Sequence, residues 1–83
     1  MKTHDLKISE EFYEEVEQGN KRFEIRRNDR DFQKGDKVTL FETTNHGTSY
    51  TGRSSNFFIS YVTSFEQKDN FVVFGIEDLI CKD

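Results

Sequence analysis

The sequence predicts an α+β domain: a small β-barrel of about five strands, with one N-terminal helix (about residues 9–18) covering one end. Three observations carry that prediction. A single stretch, Phe12, Tyr13 and Val16 closed by Gly19, has helical spacing, and the apolar runs after it follow the period of two that marks strands. The runs are separated by turn formers such as Gly35-Asp36 and Lys68-Asp69-Asn70. The chain has only 83 residues, and a domain of that size buries roughly 60–65% of the surface its unfolded form exposes. So few residues cannot cover both faces of a flat sheet, whereas closure into a barrel removes the exposed edges.

The elements follow in order. Residues 3–8 place Leu6 and Ile8 on one side of a short strand. Ser9 is positioned to cap the helix, its hydroxyl accepting from an early amide, and Glu10 and Glu11 fall where the helix dipole favours negative charge. Ile8 and Tyr13 have the spacing of a hydrophobic staple; Phe12, Val16 and Tyr13 form the buried stripe; Gly19 stops the helix. In the next strand Phe23 and Ile25 point one way and Arg22, Glu24 and Arg26 the other, which predicts a half-buried strand with a charged outer face. Residues 28–36 form a polar loop anchored by Phe32. Val38 and Leu40 open a second strand, opposed by Thr39 and Phe41, and residues 43–53 read as a long hairpin connection. A strand at about 56–65 has Phe57, Ile59, Tyr61 and Phe65 in phase. Residues 71–76 are apolar on both faces and fit the middle of a sheet or barrel.

Composition narrows the function classes. Twelve Lys+Arg stand against 16 Asp+Glu, for a net charge of −4. Nine Phe and three Tyr against one Met and no Trp predict a core built mainly from phenylalanine and argue against a disordered chain. No apolar run approaches the ~20 residues of a membrane helix, and no charged-then-apolar leader opens the sequence. The lone Cys81 excludes an internal disulfide framework and a cysteine-rich zinc site, and nothing around it suggests a nucleophile. His4, Asp5 and His46 have no metal-binding spacing, so neither metal nor cofactor is expected. The reading is one cytoplasmic domain over residues 1–83, away from the membrane. Its charge is uneven: residues 9–18 carry five glutamates and no base, whereas residues 20–37 carry seven bases against four acids. Screening cuts off distant repulsion at ~8–10 Å, so the basic segment can attract an anion despite the acidic total.

The densest chemistry lies in Gly19-Asn20-Lys21-Arg22-Phe23-Glu24-Ile25-Arg26-Arg27. Charged residues on a strand's outer face are as often solvated decoration as function. A lysine, a carboxylate and a guanidinium at a helix-to-strand corner nevertheless suit a cleft. Arginine offers a planar fork to a phosphate or base edge, glutamate accepts from an exocyclic amino group, and a desolvated lysine can serve as nucleophile or base.

Gly19-x-Lys21-x-x-Glu24-x-Arg26 resembles the GxKxxExR signature of the ASCH (activating signal cointegrator homology) domain, which is related to PUA domains. Thr3–Ile8, Phe23–Phe32 and Tyr50-Thr51-Gly52-Arg53 extend the likeness over nearly the whole chain, to a compact prokaryotic and phage branch of uncharacterised domains. The resemblance implies a PUA-like β-barrel with a cleft beside the helix that binds RNA or a modified nucleoside through Lys21, Glu24 and Arg26. Some small ASCH relatives are amidohydrolases that deacylate N4-acetylcytidine with a Lys, a Thr and a Glu. Lys21 matches that lysine, but Glu24 stands at the threonine position, and the third member would have to be Glu77 or another late acid.

Further residues carry both a functional and a plainer structural reading. His4 and Lys7 are candidate phosphate or base contacts, with surface or structural placement as the alternative. Arg27 and Arg30 are candidate phosphate contacts, while Asp29 and Asp31 are expected to fix the loop. Tyr50 either stacks on a base or packs on the barrel, and Arg53 is a candidate cation at the cleft mouth. His46 reads as a solvated turn residue. Three functions follow. The leading one is an RNA- or modified-nucleotide-binding module using His4, Lys7, Lys21, Glu24, Arg26, Arg27, Arg30, Tyr50 and Arg53. The alternative is an amidohydrolase acting on an acylated cytidine through Lys21 and Glu24. The third is a protein-interaction domain that uses the acidic helix face.

Overall fold

A computed structural model describes residues 1–79; Cys81 lies outside the described residues. The elements are β1 (Thr3–Ser9), α1 (Glu10–Glu17), β2 (Phe23–Arg27), β3 (Lys37–Thr44), β4 (Ser49–Thr63) and β5 (Phe71–Asp78). The five strands make one sheet in the order β1-β3-β4-β5-β2, with β1 parallel to β3 and the remaining pairs antiparallel. The small α+β domain is thus mostly sheet with one short helix, in the predicted element order. β1 and β2 are the sheet's two edges, and the sheet curls until side chains of β2 and of the loop after it reach the backbone of β1. Arg26 Nη2 donates to Lys7 O at 2.7 Å and Arg30 Nη1 to Asp5 O at 2.8 Å. The curl therefore closes through guanidinium groups rather than a backbone ladder.

The core lies inside the curl and is mainly aliphatic rather than the phenylalanine core the composition predicts, since of the nine Phe only Phe32, Phe57 and Phe74 belong to it. Leu6 and Ile8 from β1, Val38 and Leu40 from β3, Phe57 and Ile59 from β4, and Val72, Phe74 and Ile76 from β5 all point inward. The helix adds Tyr13 and Val16, while Phe32 enters from the 28–36 loop and packs against Phe74 at 4.8 Å. α1 ends as its sequence predicts. Gly19 takes φ +79°, open to glycine at low cost, and its amide returns to Val16 O at 3.0 Å.

Several expectations are corrected. Ser9 has N-cap backbone geometry, but its side chain makes no capping bond. Phe12 is half-exposed, because Tyr13 and Val16 alone supply the buried face of this two-turn helix. The long connection at 43–53 shrinks to a tight turn at residues 45–48, since β3 runs to Thr44 and β4 starts at Ser49. In β4 the phase set by Phe57 and Ile59 breaks at a bulge between Ile59 and Tyr61. Tyr61 therefore points outward, 65% exposed, and Phe65 lies beyond the strand. Gly75 accommodates the bulge: a Cβ there would sit 2.7 Å from Ser60 Oγ. β5 is buried on one face and half-buried on the other rather than buried on both.

A polar cluster ties the first half of β4 to the helix. Glu42 is buried and accepts from Arg53 Nε and Nη2, both at 2.9 Å, and from Thr51 Oγ1 at 2.6 Å. Arg53 Nη2 also reaches Glu14 at 3.0 Å, and its guanidinium lies 4.9 Å over the Tyr13 ring. The Arg53 and Thr51 hydrogen bonds bring the Glu42 carboxyl from 4.5 down to about 2, and the same carboxylates hold the Arg53 guanidinium above its usual value. A carboxyl with a lowered folded pKa stabilises the fold fully above its unfolded value, and that contribution is lost as pH falls through the folded one. Stability should therefore decline between pH 4.5 and about 2. Glu42→Gln should flatten that decline in melts followed by circular dichroism; superimposable pH profiles for the two proteins would contradict the assignment.

Candidate functional site

The sequence pattern predicts Phe23 and Ile25 inside and Glu24 and Arg26 outside, but the structure reverses this. Glu24 pairs in register with Phe74, and Arg26 with Val72, both core residues. Side chains opposite each other across a ladder share a face, so Glu24 and Arg26 must point inward. Glu24 is 4% exposed, whereas Phe23 and Ile25 are 44% and 53% exposed. Period two locates the strand correctly, but it cannot say which face is inner when a carboxylate brings its own counter-charges.

Those counter-charges are on the same corner. Glu24 Oε2 accepts from Lys21 Nζ, and Oε1 accepts from Arg26 Nε at 3.0 Å. Lys21 Nζ also donates to Phe23 O at 2.7 Å and lies over the Phe23 and Phe12 rings, at 4.9 and 5.6 Å from their centroids. The turn after Gly19 brings Lys21 back beside β2, with Lys21 N bonded to Glu15 O. Burying a lone carboxylate costs several kcal/mol, on the order of what a small domain's whole fold is worth; two cations in contact offset that cost.

Two clefts flank this triad. One, of about 600 Å³, has Lys21, Glu24 and Arg26 together with Ile8, Phe12, Phe23 and Ile25 in its lining, so the outward apolar residues of β2 serve as cleft walls. The other, of about 800 Å³, is lined by Asp5, Lys7, Arg26, Arg30, Tyr50 and Arg53, among others. Lys7 and Arg26 line both. Volumes of ~300–1,000 Å³ are usual for small-molecule sites.

The remaining candidates separate clearly. Tyr50 lies on β4 rather than in a loop and is 62% exposed. Its ring meets Phe41 edge-on at 6.1 Å and has Lys7 Nζ 5.4 Å above it. Arg30 lines the larger cleft while bonded to Asp5 O. Arg53 also lines it, but its guanidinium is engaged by Glu42 and Glu14. His4 is corrected from ligand contact to core residue: it is buried, bonded to Asp36 at 2.8 Å and packed on Phe32 at 4.7 Å. Arg27 lines neither cleft and lies 5.2 Å over the Phe71 ring. Glu77 is on β5, opposite Phe58, and also lines neither. Asp31 bonds Gln33 Nε2 at 2.8 Å, and Asn28 Oδ1 accepts from Phe32 N, so Asn28 and Asp31 supply the local bonds that shape the loop. His46 lies in the 45–48 turn at φ +58°. On the helix, Glu14, Glu15 and Glu17 are bonded to Arg53, Asn20 and Ser55, which leaves less of the acidic face free than the sequence suggests.

Sequence reasoning missed Phe12, Phe23 and Ile25 as walls. The available signal was the position of Phe12 and Phe23 on either side of Lys21. Among the described residues no group of three or more His, Cys, Asp or Glu is placed to hold a metal ion, and no helix is long and apolar enough to cross a membrane. No curated protein matches the chain at a significant level of similarity. A family model described as a domain of unknown function, DUF3850, matches residues 3–76, and the chain belongs to that family.

Proposed function

We propose that the chain binds RNA or a modified nucleotide in the cleft built around Lys21, Glu24 and Arg26, as a PUA-like domain of the ASCH type would. One observation carries this reading: β2 turns its charges inward and its apolar side chains outward. Full burial of a Phe or Ile side chain stabilises a fold by about 1.5–3 kcal/mol, so the opposite orientation would favour stability. Local rules broken in this way concentrate at functional sites. The reversal yields apolar walls that accept a base and a polar floor that reads its edge, with Glu24 accepting from an amino group and Lys21 and Arg26 donating to a carbonyl or phosphate.

Support for the amidohydrolase alternative is weaker. Lys21 already donates to Glu24 and Phe23 O, and Glu77 is away from the cleft. A panel of N4-acylated cytidines is therefore expected to release no free cytidine.

An NMR titration with short RNAs and modified nucleosides tests the binding reading. Shifts should gather at residues 5–8 and 21–26, and Lys21→Ala should weaken binding by about 1–3 kcal/mol. Absence of shifts, or affinity untouched by both Lys21→Ala and Arg26→Ala, would remove it.

A further inference from the structure

The two clefts meet at one bond. Arg26 lines both, and its Nη2–Lys7 O bridge spans the seam between β2 and β1 where they adjoin. The clefts differ in chemistry. The smaller has four apolar side chains, Ile8, Phe12, Phe23 and Ile25, around a charged floor. The larger is lined by Lys7 and Arg30, by Arg26 and Arg53 (already paired with Glu24 and with Glu42 and Glu14), by one carboxylate, Asp5, and by an exposed aromatic ring at Tyr50. Phe41 and Lys7 hold that ring in place, and Lys7 is itself anchored to Gly47 O at 3.3 Å. Arg26 uses Nε and Nη2 within the protein, and its Nη1 has no partner among the described residues.

Resting on the nucleotide-binding reading above, we propose that the two clefts are consecutive subsites for one splayed step of a single-stranded nucleic acid. The first base enters between Phe12, Phe23 and Ile25. The phosphodiester lies against Arg26, whose Nη1 is free to donate to it, with Arg30 and Lys7 adding positive charge. The second base stacks on Tyr50. The guanidinium bridge stands between the two bases, so they cannot stack on each other, and a duplex cannot enter without separating. A lone nucleoside leaves the larger cleft and its cations unused. The acidic total of the chain fits this short footprint, since neither cleft requires a long run of phosphates.

The test compares ribonucleosides, their 3′-monophosphates and the matching dinucleoside monophosphates, in ribo and deoxy forms, by calorimetry or NMR titration. The expected result is a dinucleotide bound at least about fivefold more tightly than the corresponding 3′-monophosphate, the lower end of what one stacked base supplies. In Tyr50→Ala that ratio should fall to about one, whereas Tyr50→Phe should keep it; the exposure of Tyr50 makes both variants compatible with folding, which a melt confirms. A gain confined to the ribo series assigns the strand to RNA, and a gain in both series assigns any single strand; either supports the step. A ratio near one in the native protein, or a ratio unchanged in Tyr50→Ala, overturns the second subsite while leaving monophosphate binding, and the function proposed above, intact. If no nucleoside, monophosphate or dinucleotide binds, the nucleotide reading fails and this inference with it.

Discussion

Glu24→Ala should lower the stability of the domain by about 3 kcal/mol and abolish ligand binding. Removing one partner of a buried ion pair generally costs about 3–5 kcal/mol because the remaining charge is left uncompensated. The lower end applies here, since Lys21 and Arg26 keep 18% and 25% of their side-chain surface in water and can partly re-solvate. For a domain of 60–100 residues, each kcal/mol moves the melting point by about 4–8 °C, so the variant should melt roughly 12–24 °C lower. A loss under about 1 kcal/mol would show that the carboxylate is not the centre of the triad.

Stability alone does not explain why the triad exists. Buried ionic groups can often be exchanged for apolar side chains of similar volume with neutral or favourable effect. The combined change Lys21→Met, Glu24→Leu and Arg26→Met should therefore recover at least half of what Glu24→Ala loses, while remaining unable to bind. The seam limits the recovery, because Arg26 also closes the curl onto Lys7 O and methionine cannot donate there. Stability regained without binding would separate the two roles of these residues: the charges are dispensable to the fold and needed for the site.

Much of the fold is written in local signals. Gly19, Gly35-Asp36 and Lys68–Asn70 each mark a turn, and the order β-α-β-β-β-β follows from where the period changes. The errors share a physical origin, since local periodicity carries no information about bulges or about which face has partners. The bulge at Ile59/Tyr61 reverses the phase of β4 beyond it, and the core partners Val72 and Phe74 on β5 decide the orientation of β2. The motif residues Lys21, Glu24 and Arg26 do meet at one corner, but on the face of β2 opposite to the one the sequence pattern predicts, because their mutual pairing lets the charges turn inward. Phe23 and Ile25 read as core residues in the sequence, because an apolar side chain looks the same there whether it fills an interior or walls a cleft.

His4 shows the converse error, and the loss of its partner should have the other large effect. Asp36→Ala should destabilise the domain by about 3 kcal/mol while leaving the ligand affinity of the folded protein unchanged. Asp36 is buried, its Oδ2 bonded to His4 Nε2 at 2.8 Å and accepting from Gln33 N at 3.1 Å, its Oδ1 accepting from Lys2 N at 3.1 Å. Each buried polar group left without a partner costs about 1–3 kcal/mol, and alanine would orphan the buried histidine nitrogen and also release two part-buried backbone amides. Burial pushes the Asp36 carboxyl up, but the hydrogen bonds from His4 and the Lys2 and Gln33 amides outweigh it and leave the group below 3.8. Its contribution is therefore complete above that value and disappears as acid protonates the folded form, so the gap between native protein and variant should close at low pH. Aspartate here joins the start of β1 to the turn before β3, the parallel pair on whose edge the Arg26 bridge is built. A binding defect in Asp36→Ala at a temperature where it remains folded would return His4 to the ligand site; intact binding with a lowered melting point would leave it in the core.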